Sequence, residues 1–97
     1  MGASEQGSPA RVRVIYSGRV QGVFFRATAY EIARDRAVTG FVRNMADGTV
    51  ELEAQGAAEE VERLLLAIGE RYEGNIAGAA RSPLAAIGNE REFEIRY

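Results

Sequence analysis

Along this chain the apolar period switches from two to 3.6 and back, twice over, with glycine at most of the joints. Arg11 to Ser17 alternates, with Val12, Val14 and Tyr16 on one face, which predicts a strand. From Phe25 the spacing changes: Phe25, Ala29, Ile32 and Ala33 fall at i, i+4, i+7 and i+8, an amphipathic helix that stops before Gly40. Gly40 to Met45 reads as a second strand, and Asp47-Gly48 as a hairpin turn. Thr49 to Ala54 alternates again, with Val50, Leu52 and Ala54 inward. Thr49, Glu51 and Glu53 then point outward and read as a solvated face, not as a catalytic carboxylate pair. After Gly56, the stripe Val61, Leu64, Leu65, Ile68 and Tyr72 marks a second helix. Residues 75–89 are weakly patterned, and a short strand is assigned there. Glu92 to Tyr97 alternates once more, with Phe93, Ile95 and Tyr97 on one face.

The resulting order is β-α-β-β-α-β(-β), with no internal repeat. Right-handed βαβ crossovers put both helices on one face of the sheet. That is an α+β, ferredoxin-like α/β sandwich (βαββαβ): two helices on one face of a mostly antiparallel, four- to five-stranded sheet. Met1 to Ala10 is polar, rich in Gly, Ser and Pro, and aperiodic, and is expected to be a flexible tail. A single domain is expected over residues 11–97, large enough to fold without staples. This architecture hosts many unrelated activities, so function has to come from the site.

Composition removes most chemistries. The chain has no Cys, His, Trp or Lys, and its 12 basic residues are all arginine. Disulfides, zinc-finger sites and Cys nucleophiles are excluded. So are Ser-His-Asp triads, His general bases, Walker-A lysines and Schiff bases. No cofactor is expected. No apolar run approaches the ~18 residues of a membrane span, and no N-terminal apolar stretch reads as a signal peptide. Met1-Gly2 would suit myristoylation, but position 6 is Gln. A cytoplasmic protein is expected. The formal net charge of −2 argues against a nucleic-acid binder. The charge is uneven, however: Arg11, Arg13, Arg19 and Arg26 lie between Glu5 and Glu31 with no acid among them. If the fold gathers them, they attract anions.

The segment Gly18 to Arg26 (GRVQGVFFR) is a glycine-bounded loop feeding a helix start. Such a start leaves several backbone N–H groups unpaired, and the helix dipole favours an anion there. Arg26 falls in the first helical turn, where a cation is disfavoured unless a bound phosphate takes both its guanidinium and the amides as donors. The plainer alternative is that Gly18 and Gly22 serve a tight turn and Arg26 is a solvated surface residue. Arg19 reads as a solvent-facing loop charge and Arg43 as a solvent-facing strand residue. Asn44, near the end of the second strand, either caps the hairpin through its own backbone or donates to and accepts from a water.

At this point the residues match a known family. The chain resembles the acylphosphatases. One family signature, G-x-V-Q-G-V-x-F-R, is matched by Gly18-Arg19-Val20-Gln21-Gly22-Val23-Phe24-Phe25-Arg26. A second, G-[FYW]-V-x-N-x-x-x-G-x-V with a glycine six residues on, is matched by Gly40, Phe41, Val42, Asn44, Gly48, Val50 and Gly56. The ending Phe93-Glu94-Ile95-Arg96-Tyr97 also looks like the family's last strand. Residues 75–91 depart from the family pattern: they are Gly/Ala-rich with Pro83 where a more β-branched fourth strand is usual.

The resemblance implies metal-independent hydrolysis of the carboxyl–phosphate bond of acyl phosphates, giving a carboxylate and inorganic phosphate. It implies that Arg26 and the backbone amides of Gln21, Gly22, Val23, Phe24, Phe25 and Arg26 bind the phosphoryl group, and that Asn44 positions the attacking water. The substrate would be a small-molecule acyl phosphate, with no nucleic-acid or membrane partner, and a monomer is expected. The chemistry suits a chain without His, Cys or Lys. A leaving carboxylate has a conjugate-acid pKa of about 4 and needs no general acid, and phosphoryl transfer is mostly positioning and charge stabilisation. The competing reading is a non-catalytic ferredoxin-like module binding an anion or small molecule. An RNA-binding version would need stacking aromatics on its central strands, and the third strand, Thr-Val-Glu-Leu-Glu-Ala, has none.

Overall fold

In the computed structural model, residues 9–97 are described; residues 1–8, most of the segment read as a tail, lie outside them. Ala10, the last residue of that segment, is the first residue of β1 (Ala10–Gly18). α1 (Phe25–Arg34), β2 (Val38–Asn44), β3 (Val50–Gly56) and α2 (Ala58–Arg71) follow, then β4 (Ile76–Leu84) and β5 (Phe93–Arg96). The sheet has five strands in the order β4-β1-β3-β2-β5. β5 runs parallel to β2 and every other pair is antiparallel. α1 packs on β2 and β5, and α2 on β3 and β1. The expected sandwich is present, with β5 closing one edge and β4 the other.

The core lies between helices and sheet. Val14, Tyr16, Val42, Val50 and Leu52 from the strands meet Phe25, Ala29, Val61, Leu64 and Ile68 from the helices. Each large apolar side chain buried there contributes roughly 1.5–3 kcal/mol. The Phe25 ring sits 5.0 Å from the Tyr16 ring and 4.8 Å from that of Tyr72, in tilted pairs. Phe25 therefore pins the first turn of α1, and with it the preceding loop, to the sheet.

β4 is nine residues long, as long as β1, and pairs with it from Arg11↔Leu84 to Gly18↔Ile76. Almost all of its side chains are exposed, so backbone pairing defines it and an apolar alternation does not. Pro83 is tolerated because β4 is an edge strand.

The face of the sheet turned away from the helices differs from expectation. Glu51 is 3% exposed, not solvated. Its carboxylate accepts from Arg13 Nε and Arg43 Nε, both at 2.6 Å. Glu53 accepts from Arg11 Nε at 3.0 Å, and the buried Arg11 also donates to Glu90 at 2.8 Å. The connection between β4 and β5 crosses one end of this face: Ile87 exchanges two 2.9 Å hydrogen bonds with the Gln55 side chain. Arg43 is exposed, as expected, while its guanidinium is tied to Glu51 and lies close to the Phe41 ring.

Candidate active site

α1 begins without any of the usual devices. Its N-cap is Phe24, in the left-handed conformation at φ +63°, with no side-chain cap and no acidic residue in the first turn. The first turn of α2, by contrast, carries Glu59 and Glu60. Among the described residues, no backbone amide from Gln21 to Arg26 donates to a protein acceptor. The start of α1 is thus a set of orphan donors carrying the positive end of the helix dipole.

Neighbouring elements fix the loop that leads there. The Gln21 side-chain amide donates to the carbonyls of Met45 and Thr49, each at 2.8 Å, which clamps the loop to the β2–β3 hairpin. The Tyr72 hydroxyl donates to the Val23 carbonyl at 2.9 Å and lies 3.0 Å from Thr28 Oγ1. The backbone N–H of Arg19 donates to Asn75 at 2.9 Å, and the Asn75 side chain returns a 3.1 Å bond to the Arg19 carbonyl. The Arg19 residue itself is exposed, as expected.

Arg26 and Asn44 meet across this loop. Alternation along β2 places Asn44 on the same face as Val42, the face that α1 covers. Both side chains line one open cavity of about 270 Å³, with Val20, Gly22, Phe24, Phe25, Ala27, Ile95 and Tyr97. Arg26 Nη1 donates to the Arg96 carbonyl at 3.3 Å, and its guanidinium lies 4.8 Å from the centre of the Tyr97 ring. Among the described residues it has no carboxylate partner. The hairpin is capped by Asp47, not by Asn44: the Thr49 N–H and hydroxyl donate to Asp47 Oδ1 at 3.0 and 2.6 Å. These bonds hold the Asp47 carboxyl below its ordinary range. Asn44 is therefore left for the cavity.

Of the residues singled out in the sequence, Gly22, Phe24, Phe25, Arg26 and Asn44 all line this cavity, while Gln21 and Val23 hold its loop. The sequence reading missed the wall supplied by β5 and the residue after it, Ile95 and Tyr97. Their signal was the alternation Phe93, Ile95, Tyr97, but that pattern does not say which strand lies beside the loop.

This ferredoxin-like sandwich matches a known family along nearly all of its described length. The acylphosphatase family model matches residues 12–95. An acylphosphatase of Syntrophotalea carbinolica is 38% identical, over 92% of this chain and 98% of its own length. One from Methanospirillum hungatei is 46% identical, over 68% of this chain and 72% of its own. The crystal structure of acylphosphatase from Bacillus subtilis superposes with a TM-score of 0.80 at 27% identity, covering 91% of this chain and 99% of that one. The chain belongs to the acylphosphatase family. It is a hydrolase, and the bond it hydrolyses is that of an acyl phosphate.

Proposed function

We infer that the cavity between α1 and the end of β2 is where this hydrolysis takes place. The amides of Gln21 to Arg26 cradle the phosphoryl oxygens, forming a phosphate-binding loop. The Arg26 guanidinium donates to them as a fork, and Asn44 orients the attacking water. Inorganic phosphate occupies the same cradle as product. The observation that carries this reading is the coincidence in one cavity of unpartnered amides, an arginine without a carboxylate and a free-facing asparagine. Each is unfavourable alone, and a phosphoryl dianion resolves all three.

The water oxygen attacks phosphorus as the bond from phosphorus to the acyl oxygen breaks. The bonding pair leaves on the carboxylate, and the water proton passes to a phosphoryl oxygen. The carboxylate is a stable anion, so no protein acid is required. Fixed donors around the phosphoryl oxygens supply the stabilisation, and no metal is needed. The site is built from one chain, and no helix among the described residues is long and apolar enough to cross a membrane. The reading is of a cytoplasmic monomer acting on small molecules, the net charge of −2 arguing against a nucleic-acid partner.

The test is kinetic. Arg26→Lys should lose on the order of 3 kcal/mol of transition-state stabilisation, because an ammonium cannot form the planar fork. Asn44→Ala should lower kcat by at least about 100-fold and leave competitive inhibition by phosphate nearly unchanged. Activity in excess chelator should equal activity with added Mg²⁺. Retention of more than a tenth of wild-type activity in Arg26→Lys, or loss of phosphate inhibition in Asn44→Ala, overturns the assigned division of labour.

A further inference from the structure

Phe24 combines two features that cost stability. It is held left-handed at φ +63°, which strains a bulky residue, and it is 82% exposed. The residue takes no part in the core, yet it lines the cavity that holds Arg26 and Asn44. Tyr97, 97% exposed, and the half-buried Ile95 line the same cavity, as does Ala27. Once the phosphoryl group engages the amides and Arg26, and the water engages Asn44, the cavity wall left for the rest of the substrate is apolar and largely aromatic. Among the residues that line it there is no Asp or Glu side chain to pair a cationic acyl group. An acyl group bearing a second anion would be desolvated against aromatic and aliphatic surface with no further donor.

We propose that Phe24 is a specificity-determining residue of this site, selecting acyl phosphates whose acyl group is apolar and planar, aromatic acyl groups above all, through contact with its ring. The inference rests on the assignment of the site given above. It gives a use to a strained, exposed residue placed at the head of α1 and against the cavity. Aromatic rings in offset or edge-to-face contact add attraction beyond area burial, which a methyl group cannot match.

The experiment compares kcat/KM for benzoyl phosphate and acetyl phosphate in the wild-type protein, Phe24→Gly and Phe24→Tyr. Glycine accepts the left-handed conformation, so the loop keeps its course while the ring is lost. The benzoyl-to-acetyl ratio should fall about tenfold in Phe24→Gly, the size of a good aromatic contact. It should stay within about twofold of wild type in Phe24→Tyr, which restores a ring. Reading the ratio cancels the difference between the two leaving carboxylates and any general loss from the loop. A ratio unchanged in Phe24→Gly, with inorganic phosphate still a competitive inhibitor, overturns the role of Phe24 alone and leaves its exposed ring to contacts outside the reaction. Wild-type protein that hydrolyses neither substrate, or that phosphate does not inhibit, overturns the site assignment and this inference together.

Discussion

Phe24 gives the sharpest view of how single residues divide between stability and function. A non-glycine residue in the left-handed region costs roughly 1–2 kcal/mol, and a residue 82% exposed recovers little of that through burial. Phe24→Gly removes the strain, offset in part by the greater freedom of glycine in the unfolded chain. The variant should therefore be more stable than wild type by about 0.5–1 kcal/mol, seen as a higher urea midpoint at unchanged slope. A lower midpoint would show that the ring packs usefully in the free protein. Arg26 behaves similarly: with no carboxylate of its own it adds little to the fold, so its replacement should affect catalysis far more than melting. The place of Arg26 in the first turn of α1 was legible in the sequence because a glycine-bounded loop and a helix start are both local signals. The ring of Phe24 was not, since the sequence motif leaves its position open.

Among the elements, β3 carries the largest difference between expectation and structure. Its alternation correctly assigned Val50, Leu52 and Ala54 to one face and Glu51 and Glu53 to the other, but a face is not the same as solvent. Cover over Glu51 comes from Arg13 on β1 and Arg43 on β2, partners fixed by strand order, which no local pattern encodes. β4 was hard to read for the converse reason: an edge strand exposed along nearly its whole length needs no apolar alternation. Ile95 and Tyr97 escaped notice as cavity walls because their place depends on β5 docking parallel to β2. The Glu51 arrangement has a measurable consequence. Burial pushes its carboxyl upward, but the hydrogen bonds and charges of Arg13 and Arg43 outweigh that and hold it below the ordinary carboxylate value. Glu90 is held down likewise, burial being outweighed by Arg11 and Thr39. Below about pH 4.5 the unfolded chain then binds more protons than the folded one, and stability falls as pH drops through the depressed values. Above that range the contribution is complete. Glu51→Gln should cost about 2 kcal/mol at pH 7 and flatten the acid limb of the urea-midpoint profile between pH 3 and 6. An acid limb identical to wild type would remove Glu51 from the account.

At the scale of the whole molecule, the perturbed side chains move away from neutrality. It has no histidine, the displaced carboxyls of Asp47, Glu51, Glu62 and Glu90 all move downward, and burial moves the Tyr16 hydroxyl upward. A kcat profile flat between about pH 5.5 and 8 is expected, apart from any inflection belonging to the substrate's own phosphate. A bell-shaped profile in that window would point to a protein acid or base that this arrangement lacks. The strand register bears on time as well as on space. β1 pairs with β3 and with β4, so Arg11 lies opposite both Gln55 and Leu84, and Phe41 lies opposite Glu94. Pairings so distant along the chain slow folding relative to a helical bundle of the same length. Arg26 meets the Arg96 carbonyl and the Tyr97 ring only after β5 has docked beside β2. The cavity wall that Ile95 and Tyr97 supply thus depends on the pairing of β5 beside β2.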